Sequence, residues 1–169
     1  MLSKKISTLI NEQIKKELDS AYLYLEVADF YESNGLKGFA NWFKVQAKEE
    51  QDHAEIFYNF LHSMNEPVMF YKIEPSGKIF STLLEPLEEA LEHEQFITAS
   101  INNIVSEANE ENEYAALTML EWFVKEQMEE EENAQELIDS MKLFGDSCGG
   151  LYALDKDLSC REYKPVTAA

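Results

Sequence analysis

Glycine and proline are scarce in this chain, 6 and 4 among 169 residues, below the usual shares of about 7% and 5%. That scarcity favours long, uninterrupted elements. Cysteine is rarer still: Cys148 and Cys160, both near the C-terminus, exclude a disulfide framework and suit a reducing compartment. Neither has ligand spacing or a partner histidine, and neither is assigned a role. Basic residues are few, 14 Lys and Arg against 33 Asp and Glu, for a formal charge of 14 − 33 = −19. A phosphate polymer needs a basic face to displace its counterions, and an anionic bilayer attracts one, so nucleic acid and membrane partners are excluded. A field of this sign concentrates cations instead. No apolar run approaches the ~18 residues that span a bilayer, and Met1–Ile6 runs into a polar periodic segment without a signal-peptide core. A soluble cytoplasmic protein is expected.

The acidity does not mean disorder, because 45% of residues are hydrophobic and 12% aromatic. The length predicts a single domain over 1–169, large enough to bury a proper core. Apolar residues recur at three and four along most of the chain, the mark of helices with one buried stripe. The spacing predicts helices over about 4–34, 38–65, 83–110 and 112–144, with a short amphipathic tail helix over about 150–158. Gly35 and Gly145 act as stops, Pro67 closes the second helix, and Pro86 sits in the first turn of the third, where its missing N–H is harmless. The first two helices and the last two are joined by short turns, so each pair forms an antiparallel hairpin. Between the pairs lie about 17 residues, Glu66–Thr82, where about 2–8 is usual. Extended, they reach about 55 Å, more than the roughly 42 Å of a 28-residue helix. The fold class expected is therefore all-α, a four-helix bundle with one long crossover and a short fifth helix.

Each apolar stripe is broken near its middle by an acid, an amide or a histidine. Glu17 interrupts Ile10, Ile14, Ala21 and Ala28; Gln46, Glu50 and His53 interrupt Phe39, Phe43 and Phe57. Glu94 interrupts Leu87, Leu91 and Ile101; Gln127 and Glu130 interrupt Leu120, Phe123 and Ala134. Folding the bundle brings these breaks to one level. A single Glu on a stripe is commonly a boundary residue whose head reaches water, but four at matching heights are not explained that way. An unpaired buried carboxylate costs several kcal/mol or takes up a proton, so such a cluster makes sense with a cation. Glu50 and His53 are i, i+3 on one face, as are Gln127 and Glu130. Oxygen-rich sites with one imidazole suit iron or manganese better than a thiolate-seeking metal. The charges of Glu17, Glu50, Glu94 and Glu130 balance two divalent ions, which makes the site dinuclear. Glu49, Glu126 and Glu129 adjoin it and are candidates for a further ion or for a solvated face. Tyr24, two turns from Glu17, is a core aromatic or an electron donor. His62 and His93 read as surface or boundary histidines.

The sequence resembles the bacterial non-haem ferritins along essentially its whole length. The match is carried by Glu17 and Tyr24 in Lys16–Tyr24, by Glu49, Glu50 and His53 in Lys48–Ala54, by Glu94 in Glu92–Phe96, and by Glu126, Gln127, Glu129 and Glu130 in Trp122–Glu131. A bundle with a single long crossover is itself the arrangement known from ferritin-like folds. The resemblance implies a ferroxidase that oxidises Fe(II) with O2 or H2O2 and stores ferric mineral in the cavity of a twenty-four-subunit homo-oligomeric shell. It implies one iron held by Glu17, Glu50 and His53, a second by Glu50, Glu94 and Glu130 beside Gln127, and a third site using Glu49, Glu126, Glu129 and Glu130, with Tyr24 next to the centre. The fifth helix would line shell channels. The departures are informative. Gln127-x-x-Glu130 stands where a second Glu-x-x-His motif is usual, and Gln51 where a haem-ligating Met is expected, so no haem is expected. No Cys-x-x-Cys pair is present for a rubredoxin-like domain. Two alternatives stand beside this reading: a small di-iron redox enzyme that stores nothing, and a shell without a working centre.

Overall fold

In the computed structural model, which describes residues 2–166, five helices occur among the described residues: α1 (Lys4–Ser33), α2 (Lys37–Ser63), α3 (Glu85–Glu110), α4 (Tyr114–Phe144) and α5 (Cys148–Leu158). Residues 1 and 167–169 of the expected domain lie outside the described residues. No described helix is long and apolar enough to cross a membrane.

The helix ends explain where the boundaries differ from the sequence reading. After α1, Gly35 takes φ +78°; its N–H bonds the carbonyl of Glu32 (3.1 Å) and that of Leu36 bonds Tyr31 (3.0 Å), the pair of bonds that ends a helix on a left-handed residue. Asn65 (φ 57°) and Asn112 (φ 58°) do the same. Glu66 N–H reaches Leu61 O at 2.9 Å, and Glu113 N–H reaches Ala108 O at 2.8 Å. Asparagine tolerates this conformation because its short amide can bond locally, but it signals a stop less plainly than glycine. The second helix therefore ends at Ser63 rather than 65, and the fourth starts at Tyr114 rather than 112. At the start of α3, Glu85 N–H donates to Thr82 Oγ1 (3.3 Å) while Glu85 Oε2 accepts from Ser81 N–H (2.5 Å), a variant of the reciprocal cap. The short tail helix begins two residues earlier than expected, because Ser147 Oγ accepts from Gly150 N–H (3.0 Å) and draws both glycines into its first turn.

Nothing lies within 4 Å of a Cβ added at Gly35, so Gly35→Ala isolates the backbone cost. It is expected to lower stability by about 1–2 kcal/mol, whereas Asn65→Gly changes it by less than about 0.5 kcal/mol. Thermal unfolding midpoints check both.

The interior falls into two apolar clusters. One is built on Ile6, Ile10, Ile14, Phe57, Leu61, Ile97, Ile101, Leu120 and Phe123. The other is built on Val27, Tyr31, Phe39, Phe43, Leu87, Leu137 and Ile138. α1 and α4 run from the first cluster to the second, and α2 and α3 run the opposite way. Two helices adjacent in sequence but parallel in space need a connection back along the bundle, and the crossover supplies it along α1. Met69 N–H donates to Asn11 Oδ1 (2.6 Å), Ser76 N–H to Glu26 Oε1 (3.1 Å), and Tyr31 OH to Leu83 O (2.7 Å). From Asn11 to Tyr31 is about 30 Å of helix.

α5 docks at the start of α2. Leu151, Leu154 and Leu158 pack on the second cluster. Asp155 Oδ1 accepts from Gly38 N–H (2.7 Å) and Phe39 N–H (3.1 Å). The α2 N-terminus has no side-chain cap from its own flank, so Asp155 provides the anion that its exposed amides favour.

Candidate metal centre

Between the two apolar clusters lies a polar layer to which all four bundle helices contribute. α1 supplies Gln13, Glu17 and, toward the second cluster, Tyr24; α2 supplies Gln46, Glu50 and His53; α3 supplies Glu94; α4 supplies Gln127 and Glu130. All of these are buried, Glu17 and His53 to 1% exposure. The helical repeat explains the convergence: within each stripe one turn of acid and amide replaces one turn of apolar side chain, at the same height in the bundle.

Ligand atoms of Glu17, Glu50 and His53 lie within 4.8 Å of one another, and a second group within the same limit is His53, Glu126 and Glu130. His53 Nδ1 is 3.4 Å from Glu50 Oε2, and Nε2 is 3.9 Å from Glu126 Oε1. Two buried atoms in this layer, Glu17 Oε2 and His53 Nε2, have no hydrogen-bond partner. Buried polar atoms are rarely left so, and an electron-pair donor set of carboxylate and imidazole is what a hard or borderline cation satisfies.

The remaining acceptors are held by amides and a phenol. Gln13 Nε2 donates to Glu17 Oε1 (2.8 Å), and Gln46 Nε2 to Glu130 Oε2 (2.7 Å) and Glu50 Oε1 (3.4 Å). Gln127 Nε2 donates to Glu94 Oε2 (3.0 Å), and Tyr24 OH donates to Glu94 Oε1. Neutral donors orient these carboxylates without cancelling their charge. Burial is the main cause that pushes the Glu17, Glu50 and Glu130 carboxyls well above the ordinary carboxylate range. Coulombic repulsion adds to it, from Glu50 on Glu17, from Glu94 on Glu50, and from Glu94 and Glu50 on Glu130. Burial and the neighbouring Glu94 likewise raise the Tyr24 phenol.

Of the outer carboxylates, Glu126 faces His53 and is raised mainly by burial. Glu49 is held by the Arg161 guanidinium, and Glu129 is exposed and belongs to neither group. His62 is exposed, whereas His93 is half-buried with Nε2 2.7 Å from Ser20 Oγ; burial lowers its pKa. Cys148 and Cys160 are exposed and free.

The sequence reading did not single out Gln13 and Arg161, and it left Gln46 without a role. A signal for the two glutamines exists: each lies four residues before a buried Glu on the same face. Nothing in the spacing points to Arg161, which arrives from beyond α5.

A helical bundle with a long crossover and an internal carboxylate–histidine layer defines the ferritin-like class of protein. The comparisons narrow this further. The family model for the Ferritin-like domain matches residues 7–144, and the chain belongs to the ferritin family. Among curated relatives, it is 35% identical over 163 residues to the bacterial non-heme ferritin of Staphylococcus saprophyticus, covering 96% of this chain and 98% of that one. It is 37% identical over 156 residues to that of Campylobacter jejuni, covering 92% and 93%. Among solved structures, an engineered closed form of the Archaeoglobus fulgidus ferritin superposes with a TM-score of 0.95 at 36% identity, over 97% of this chain and 100% of that one. The open-pore ferritin of the same archaeon superposes at 0.93 and 37% identity, over 95% and 98%.

Proposed function

We propose that this protein is an iron-storage ferritin with ferroxidase activity, working in the cytoplasm as a twenty-four-subunit homo-oligomeric shell without haem. The observation that carries the reading is the buried grouping of Glu17, Glu50 and His53 within 4.8 Å, with Glu17 Oε2 otherwise unpartnered. Family membership supports the storage part.

Fe2+ is the substrate. The net charge of −19 raises its concentration at the protein surface. Glu17, Glu50 and His53 take one ion; Glu50 extends to a second, held by Glu94 and Glu130 beside Gln127. Both ions compete with the protons that burial and mutual repulsion favour on the Glu17, Glu50 and Glu130 carboxyls. Each Fe2+ gives one electron to a shared O2, leaving two Fe3+ and oxygen at the peroxide level; with H2O2 the same two electrons yield water. Anionic oxygen ligands favour the harder Fe3+. Tyr24, bonded to Glu94, is the candidate electron donor beside the second iron. Glu126, Glu129, Glu130 and Glu49 are candidates for a third iron, on the way out to the cavity.

Aerobic addition of Fe2+ to the apoprotein, followed by absorbance and size-resolved iron content, tests the reading. Rapid oxidation with iron retained in a large shell, far beyond three per chain, is expected. Oxidation that saturates at two or three irons per chain in a small oligomer would overturn storage.

A further inference from the structure

Beyond α5 the chain does not leave the bundle but lies along α2, in the same direction. Asn41 Nδ2 donates to Arg161 O (2.9 Å), Tyr163 OH donates to Asp52 Oδ2 (2.8 Å), and Val166 N–H donates to the same oxygen (2.8 Å). This strap delivers one cationic side chain to the edge of the polar layer. The Arg161 guanidinium stacks 4.2 Å over the Trp42 ring, donates through Nη1 to Gln46 Oε1 (2.9 Å), and through Nη2 to Glu49 Oε2. Both partners of that ion pair are mostly shielded, at 22% and 15% side-chain exposure.

Two consequences follow from donor chemistry. A guanidinium only donates, so Gln46 must present its oxygen to Arg161 and its NH2 to the inside, where it meets Glu130 and Glu50. Arg161 thus fixes the orientation of an amide that orients two site carboxylates. The second consequence concerns Glu49. Its carboxylate lies outside the group formed by His53, Glu126 and Glu130 and is paired with the Arg161 guanidinium instead. The orphaned, buried Nε2 of His53 faces the same side.

We infer that Arg161 is the resident counter-cation of the outer carboxylates, a gate that must leave Glu49 before an ion can bind there. The strap thereby separates a dinuclear inner centre from an outer position that opens only when Arg161 is displaced. This rests on the metal-binding reading of Glu17, Glu50 and His53, and the test keeps the two apart.

Anaerobic calorimetric titration of the full chain with Zn2+, which is redox-inert, counts ions without oxidation. The parent protein is expected to bind two per chain tightly. Arg161→Ala and Arg161→Gln are expected to tighten a third by about tenfold or more, the scale of a lost charged hydrogen bond. Arg161→Lys, which keeps the charge, stays close to the parent, and Arg161→Gln/Glu49→Gln loses the gain. A third ion as tight in the parent as in Arg161→Gln overturns the gate, as does a gain that survives removal of Glu49. Failure of the inner reading looks different: the parent then binds no ion tightly, and Glu17→Gln changes nothing. Circular dichroism melts and the oligomer size of each variant separate a loosened strap from an unfolded chain.

Discussion

Glu50→Gln is expected to reduce Fe2+ oxidation by more than about 100-fold, to the rate of Fe2+ in protein-free buffer. Replacing a mere orienting group near a metal costs about 10–100-fold, and Glu50 is the one carboxylate shared by both proposed ion positions. Glutamine retains the volume, so no cavity forms. The amide of Gln46 still has Glu130 to bond. Assembly should therefore survive while oxidation fails. Parental oxidation rates in Glu50→Gln would sink the site assignment.

The same substitution makes a stability prediction with a definite sign. Glu17, Glu50 and Glu130 have carboxyl pKa values raised well above the ordinary 4.5 by burial and mutual repulsion. The folded apoprotein then binds more protons than the unfolded chain wherever pH lies between the ordinary value and the raised one. Stability from these groups is fully present below the ordinary carboxylate pKa and declines as pH rises through the raised values. The apoprotein should melt at a lower temperature at pH 8 than at pH 6. Glu50→Gln should flatten that slope, because one of the repelling charges is gone. Zn2+ should raise the parental melting point most at pH 8 and raise that of Glu50→Gln much less. Melts across pH 5.5–8.5, with and without Zn2+, check all three.

These expectations depend on features that were legible in the sequence to different degrees. The buried polar layer was readable because a helix imposes a period: an acid on a stripe of Ile, Leu and Phe is a local contradiction, and four such contradictions at equal heights point to a common cause. The crossover was readable from arithmetic, since 17 residues are too many for a hairpin and enough to return along α1. Asn65 and Asn112 were not read as helix stops, because asparagine occurs in many settings and only the tertiary path makes it left-handed. The outer site was the least legible. Spacing alone placed Glu49, Glu126 and Glu129 side by side on their helices, but exposure leaves Glu129 in solvent and Arg161 claims Glu49 from 112 residues away. A contact of that sequence separation leaves no periodic trace.

Gly38 is a second position whose importance comes from the tertiary path, and Gly38→Ala is expected to detach α5. A Cβ there would meet Asp155 O at 1.6 Å and its carbonyl carbon at 2.5 Å. These are backbone atoms, so no rotamer change relieves the clash, and overpacking of this kind costs about 1–3 kcal/mol or more. The Asp155 carboxylate would also lose its place on the Gly38 and Phe39 amides. Gly149→Ala is the control: nothing lies within 4 Å of its added Cβ, and in a helix alanine is favoured over glycine by about 1 kcal/mol. Limited proteolysis should therefore cut Gly38→Ala between Gly145 and Arg161 while sparing Gly149→Ala and the parent. The strap begins where α5 ends, at Leu158, so undocking α5 also withdraws Arg161 from Trp42 and Glu49. Gly38→Ala should consequently acquire the tighter third Zn2+ expected on removing Arg161, although Gly38 lies two turns of α2 from Gln46 and touches no ligand. Protease sensitivity without that third ion would mean that Arg161 holds Glu49 independently of α5. Both changes together would make the docking of the tail, through Asp155 on Gly38, the mechanical support of the gate.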